Sequence, residues 1–155
     1  MKSLAIIPIM LAITSCGKSP IDNFYKNGNP EKKTTDKTFL PYLDELYKDI
    51  GSIKSVVVFG DAKIEESWVG KCTQWSNSSY KEITIDRKYW NNASEGKRYQ
   101  LLLHEIGHCK YNKGHNDEHT NNCPNSVMRS YVFYQNEIDN CFFPNYDNYI
   151  IDLNN

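Results

Sequence analysis

His104 and His108 stand four residues apart with Glu105 directly after the first, in the run Leu101-Leu102-Leu103-His104-Glu105-Ile106-Gly107-His108-Cys109. On a helix, residues four apart share one face, with Cβ atoms about 5–6 Å from each other. Two imidazole nitrogens at that spacing can meet one Zn²⁺ at bonds of about 2.0–2.1 Å. Glu105 is turned about 100° from His104 around the helix axis. It can address a metal-bound water without ligating the metal, which makes it the natural general base. Composition alone would produce this His-Glu-x-x-His pattern in such a chain roughly 0.6% of the time. The chemistry it supports is hydrolysis by a zinc-activated water.

These side chains need a helix to carry them and a sheet to carry the helix. The spacing predicts a helix from Ser94 to about Lys113, opened by Asn92 and Glu95 as a capping box. Before it, Glu82-Ile83-Thr84-Ile85-Asp86 alternates polar and apolar residues, as a half-buried strand does. Val56-Val57-Val58-Phe59 is a β-branched run of strand length ahead of Gly60. Phe39, Leu43, Leu46, Tyr47 and Ile50 form a stripe at helical spacing, stopped by Gly51-Ser52. The stretch from Asp61 to Ser79 gives no clear periodicity, and Tyr146 to Leu153 reads as a short structural helix.

The chain has 155 residues, 39% hydrophobic and 24% charged, enough for about one domain. Its net charge of −1 provides no basic field for a phosphate backbone, so nucleic acid is not expected as a partner. Met1-Lys2 followed by the uncharged run Ser3 to Thr14 reads as a signal peptide, too short for a permanent membrane span. Its end, Ile13-Thr14-Ser15-Cys16, resembles the bacterial lipobox, in which the cysteine is lipidated and becomes the new N-terminus. The expected organisation is a lipoprotein signal peptide at 1–15, a lipidated N-terminus and flexible tether at 16–37, and one folded domain at 38–155. Diacylglycerol plus an N-acyl chain on Cys16 would give stable anchoring. Cys72, Cys109, Cys123 and Cys141 remain, an even number that in an exported chain favours disulfides in one of three pairings.

On the His-Glu-x-x-His run the sequence resembles the zincin metallopeptidases. The resemblance implies an α+β domain with a small mixed sheet packed on an active-site helix. A catalytic zinc takes three protein ligands, and His115 is the best third candidate, with Asp117, His119 and Glu137 as alternatives. The helix is expected to end near Asn112 to Gly114, with Gly114 as a left-handed cap that turns His115 back. A downstream histidine is similar to the metzincin clan, although Tyr111 holds that clan's glycine place and His115 comes one residue late. Ser126-Val127-Met128 resembles its Met-turn, which implies a short C-terminal subdomain after Met128, and Tyr131 is a candidate oxyanion stabiliser. The strand before the helix is expected at the sheet edge, where an extended peptide can add.

Joining Cys109 to Cys123 would pin the Met-turn beneath the helix and leave Cys72 for Cys141; this is the expected pairing. The implied protein is a monomeric zinc metalloendopeptidase with one catalytic Zn²⁺ and a peptide or protein substrate. It is expected in the bacterial cell envelope, lipid-anchored to a membrane and facing the periplasm or exterior. A catalytically idle zinc-binding lipoprotein, acting as a scaffold or sequestering the metal, is the alternative. The intact Glu105 argues against it.

Overall fold

The computed structural model describes residues 23–63 and 66–155. The expected signal peptide and the expected lipidation site Cys16 therefore lie outside the described residues. A four-stranded sheet forms from β1 (Asn23–Lys26), β2 (Val56–Gly60), β3 (Gly70–Trp75) and β4 (Lys81–Asp86), in the spatial order β1-β3-β4-β2. β3 runs antiparallel to β4, while β1 and β2 run parallel to β3 and β4 respectively. The sheet is thus mixed, and the domain is α+β as expected.

The first helix, α1 (Leu40–Ile50), follows a 3-10 turn at Lys37–Phe39 and buries Leu43, Leu46 and Ile50 on the stripe read from the sequence. Gly51, at φ 68°, ends it in a conformation that glycine adopts without a Cβ clash. Lys110 Nζ from a later helix donates to the terminal carbonyl of Ile50, which suits a cation at a helix C-terminus. Asp86 ends β4 and caps α2 (Arg87–Asn92), its Oδ2 accepting from Tyr89 N at 2.8 Å.

The active-site helix, α3 (Glu95–Tyr111), starts from Ser94. The expected capping box is not formed: Asn92 closes α2, where its side chain donates to Lys88 O. The helix ends where expected, but its cap differs. Asn112, not Gly114, takes the left-handed cap at φ 54°, a conformation that asparagine tolerates better than most residues.

β4 is not the sheet edge that the sequence suggested. It pairs with β3 on one side and β2 on the other, so its hydrogen-bonding groups are already used. Its polar residues are buried too, because residues 27–37 cover the far face. Glu82 accepts from Lys33 Nζ, Tyr80 Oη and Thr84 Oγ1. Asp36 N donates to Val57 O, and Val57 N donates to Thr35 Oγ1. The tether drawn over 16–37 does not hold for residues 23–37, which supply β1 and this covering.

After α3 the chain forms a small hairpin, β5 (His119–Thr120) with β6 (Cys123–Pro124), and then α4 (Gln135–Glu137), a π-helical turn at Ile138–Phe142 and α5 (Tyr146–Asn154). Phe133, Ile138, Phe142, Tyr149 and Leu153 join one hydrophobic core with Leu102, Leu103, Ile106, Ile83 and Ile85. The segment after Met128 therefore packs into the same core as the sheet and α3. Among the described residues, no helix is long and apolar enough to cross a membrane.

The four cysteines are disulfide-bonded, but as Cys72–Cys109 and Cys123–Cys141. The expected pairing fails because β3 lies directly on α3. Gly70 and Cys72, two apart, face the helix together, opposite Ile85 and Ile83 of β4. Cys72 meets Cys109 there, while Cys123 on the hairpin meets Cys141 in the π-helical turn.

Candidate metal centre

α3 carries His104 and His108 on one buried face, as four-residue spacing requires. Their Nε2 atoms lie 3.0 Å apart. His115 returns from the segment after the helix, its ring centroid 5.3 Å from that of His104 and 5.0 Å from that of His108. One ligand atom from each of the three lies within 4.8 Å of the others.

Main-chain carbonyls fix the tautomers of the first two rings. His104 Nδ1 donates to Val127 O at 3.0 Å, and His108 Nδ1 donates to Lys113 O at 2.7 Å. A carbonyl can only accept, so each Nδ1 carries the proton and each neutral ring presents an Nε2 lone pair. Burial holds the His104 pKa well below the usual histidine value, with His108 and His115 lowering it further against the opposing Val127 bond. Two such lone pairs facing at 3.0 Å repel unless a cation lies between them. Tetrahedral zinc with bonds of about 2.0–2.1 Å would separate its nitrogens by about 3.3 Å. The donor set and its spacing fit such an ion.

Two strands of chain hold His115 in place. Asn116 N donates to Met128 O at 2.7 Å, and Asp117 accepts from both Ser130 N and Ser130 Oγ. Asn125 N then donates to Glu118 O, closing the base of the hairpin. The alternative third ligands are engaged elsewhere: Asp117 with Ser130, His119 with Asp117 O in the exposed hairpin, and Glu137 with Arg129 Nη1 at 2.5 Å.

Glu105 is 0% exposed. Its wall is Gly70: a Cβ there would stand 2.8 Å from Glu105 Cγ and Cδ. Gly107, two residues after Glu105, has a similar role: a Cβ there would collide with Met128 Sδ and lie 3.0 Å from Leu153 Cδ2. Met128 thus packs beneath the helix beside His108. Tyr131 shares a small pocket with His104, and its ring lies 3.5 Å from the Arg129 guanidinium.

Sequence reasoning missed Gly70, Asn112, Gln100 and Arg129. Gln100 could have been found, since it precedes His104 by four and must share its buried face. Gly70 carried no signal, because its contact with Glu105 depends on strand pairing.

The chain matches the model of a family described as "Putative phage metallopeptidase" over residues 23–131. The match covers β1 to β4, α3 and all three histidines. No curated protein and no solved structure matches significantly.

Proposed function

The chain belongs to this phage metallopeptidase family, and from that premise we propose that it is a zinc-dependent metalloendopeptidase, exported and held on a membrane by lipid at Cys16. The observation that carries the reading is the convergence of His104, His108 and His115 beside the buried Glu105, with two Nδ1 atoms fixed on carbonyls. His104, His108 and His115 would hold the metal, and zinc bound there would supply Lewis acidity for activating water and polarising the scissile carbonyl.

The remaining work belongs to the chain's own groups. Glu105 accepts a proton from the attacking water at its carboxylate and delivers it to the leaving amine nitrogen. Gly70 stands against the buried Glu105 side chain and helps fix where its carboxylate lies. Tyr131 donates its hydroxyl to the carbonyl oxygen as charge develops there. Met128 under Gly107 serves as the floor of the site, in keeping with the metzincin-like Met-turn. The lipobox-like Ile13-Thr14-Ser15-Cys16 and the disulfide-bonded cysteines support an envelope location facing the periplasm or exterior.

The test compares wild type with Glu105→Ala for bound zinc and for cleavage of a mixed peptide library. One zinc in both proteins, with cleavage confined to the wild type, is the expected result. One zinc without cleavage in either would favour a binding or sequestering lipoprotein, and no zinc would sink the site. Radiolabelled palmitate incorporation lost in Cys16→Ser tests the anchor.

A further inference from the structure

The two faces of the sheet differ in what they present. Gly70, Cys72, Ile83 and Ile85 point at α3, so Lys71, Thr73 and Trp75 of β3 and Glu82 of β4 point the other way. On that outer face Trp75 and Tyr80 are both half-buried with ring centroids 5.3 Å apart, and Lys26 Nζ stands 5.9 Å from the Trp75 ring. Lys33 reaches the same face to pair with Glu82. Beside it a broad groove is lined by Lys32, Lys33, Lys37 and Arg87, with Asp36 as the carboxylate among its described lining residues.

Only part of this positive charge is cancelled. Glu82 takes Lys33, and Asp61 stands 4.0 Å from Arg87. Asp36 accepts from Thr38 N and so caps its own 3-10 turn, while Glu31 is exposed. Among the described residues no ion pair engages Lys26, Lys32 or Lys37, and all three are exposed. The layer on the other side of α3 has the opposite sign. Past His115 the chain holds Arg129 as its only Lys or Arg, against Asp117, Glu118, Glu137, Asp139, Asp147 and Asp152, and its helices pack on α3.

We propose that the outer face of the sheet docks on an anionic lipid surface, with Lys26, Lys32 and Lys37 meeting the phosphate headgroups and Trp75 and Tyr80 lying at headgroup depth. The inference rests on the lipid anchor proposed above. Residues 17–22 separate Cys16 from β1, so Asn23 stays within about 25 Å of an acylated Cys16. Basic side chains held that close to an anionic leaflet are drawn to it once they come within a Debye length. Tryptophan and tyrosine suit the same depth, since each joins an apolar ring to a polar edge. The acidic layer beyond α3 is repelled by that surface, which fixes the sense of the orientation. Docked in this way, α3 and its histidines lie on the side of the sheet away from the bilayer, and the metal centre faces the aqueous compartment.

The experiment reconstitutes the mature lipoprotein into vesicles of phosphatidylcholine alone or of equal parts phosphatidylcholine and phosphatidylglycerol, acetylates the accessible lysines and reads each by mass spectrometry. The expected result is that Lys26, Lys32, Lys33 and Lys37 react at least about fivefold more slowly on the anionic vesicles. High salt should remove the difference, and Lys48 on α1 should react alike on both vesicles. Lys26→Gln/Lys32→Gln/Lys37→Gln should bring the protection of Lys33 to within about twofold. That variant should melt with the wild type, since it breaks no ion pair among the described residues. Equal reactivity on the two vesicles, or undiminished protection in the variant, would overturn the docking face and leave the anchor standing. A chain that takes up no palmitate and floats with neither vesicle would overturn both. One that takes up none yet floats with the anionic vesicles alone would sink the anchor and keep the face.

Discussion

His104 and His108 show how much of a metal site is set by groups that never touch the metal. Their Nδ1 atoms are held by the carbonyls of Val127 and Lys113, so the rings enter the site already in the ligating tautomer. His115 has a different burden, because it sits outside the helix and depends on Asn116 and Asp117 for its position. His115→Ala should weaken zinc binding at least about 100-fold, read by competition with a chromogenic chelator. A second prediction concerns the buried Arg129–Glu137 pair. Arg129→Met leaves Glu137 charged and unpaired inside the protein and should cost about 3–5 kcal/mol in denaturant unfolding. The histidine pair was legible because helical spacing alone puts residues four apart on one face. The cap was not, since both Asn112 and Gly114 suit a left-handed turn and only the path of the chain decides between them.

At the scale of elements, the site is a contact between α3 and β3. The active-site helix could be read from the sequence; the strand could not. Gly70–Trp75 is polar along most of its length, and its one strongly apolar partner surface is Cys72, facing the helix. The alternation in Glu82–Asp86 was read correctly as a strand but misplaced at an edge, because the parallel pairing with β2, whose connection crosses over β3, leaves no local pattern in the sequence. Gly70→Ala tests the contact directly. The added methyl pushes on Glu105 and not on the histidines, so cleavage should fall by at least about tenfold while one zinc remains bound. Gel-filtered metal content beside peptide turnover separates the two effects. The Cys72–Cys109 bridge holds the same two elements together. Its 37-residue separation corresponds to about 4 kcal/mol of stabilisation in the chain-entropy model, so the Cys72→Ala/Cys109→Ala protein should unfold at markedly lower urea.

Across the whole molecule, one core joins the sheet, α3 and the C-terminal helices. The segment after Met128 is joined to it by Phe133, Phe142 and Tyr149, an aromatic cluster that no local pattern reveals. Tyr149 donates to Pro124 O at 2.9 Å. Burial pushes its pKa up to about 12, Glu137 adding and Arg129 opposing. The folded state therefore keeps a proton that the unfolded chain releases near pH 10. Stability should be intact below pH 10 and fall as the pH rises toward 12, with Tyr89 and Tyr146, also raised by burial, acting in the same direction. Melting temperatures by circular dichroism at pH 9 and pH 11 measure the drop.

The bridge between Cys72 and Cys109 also has a meaning in time. It ties the strand that walls Glu105 to the helix that bears it, one residue past His108. Where glutathione and thioredoxin keep thiols reduced, that tie does not form and the two elements are held by packing alone. On the proposed export, a newly made chain would lack this tie until oxidation outside the reducing compartment formed it. The cross-link would thus act as a delay, sparing the producer's own proteins until the enzyme has left them behind.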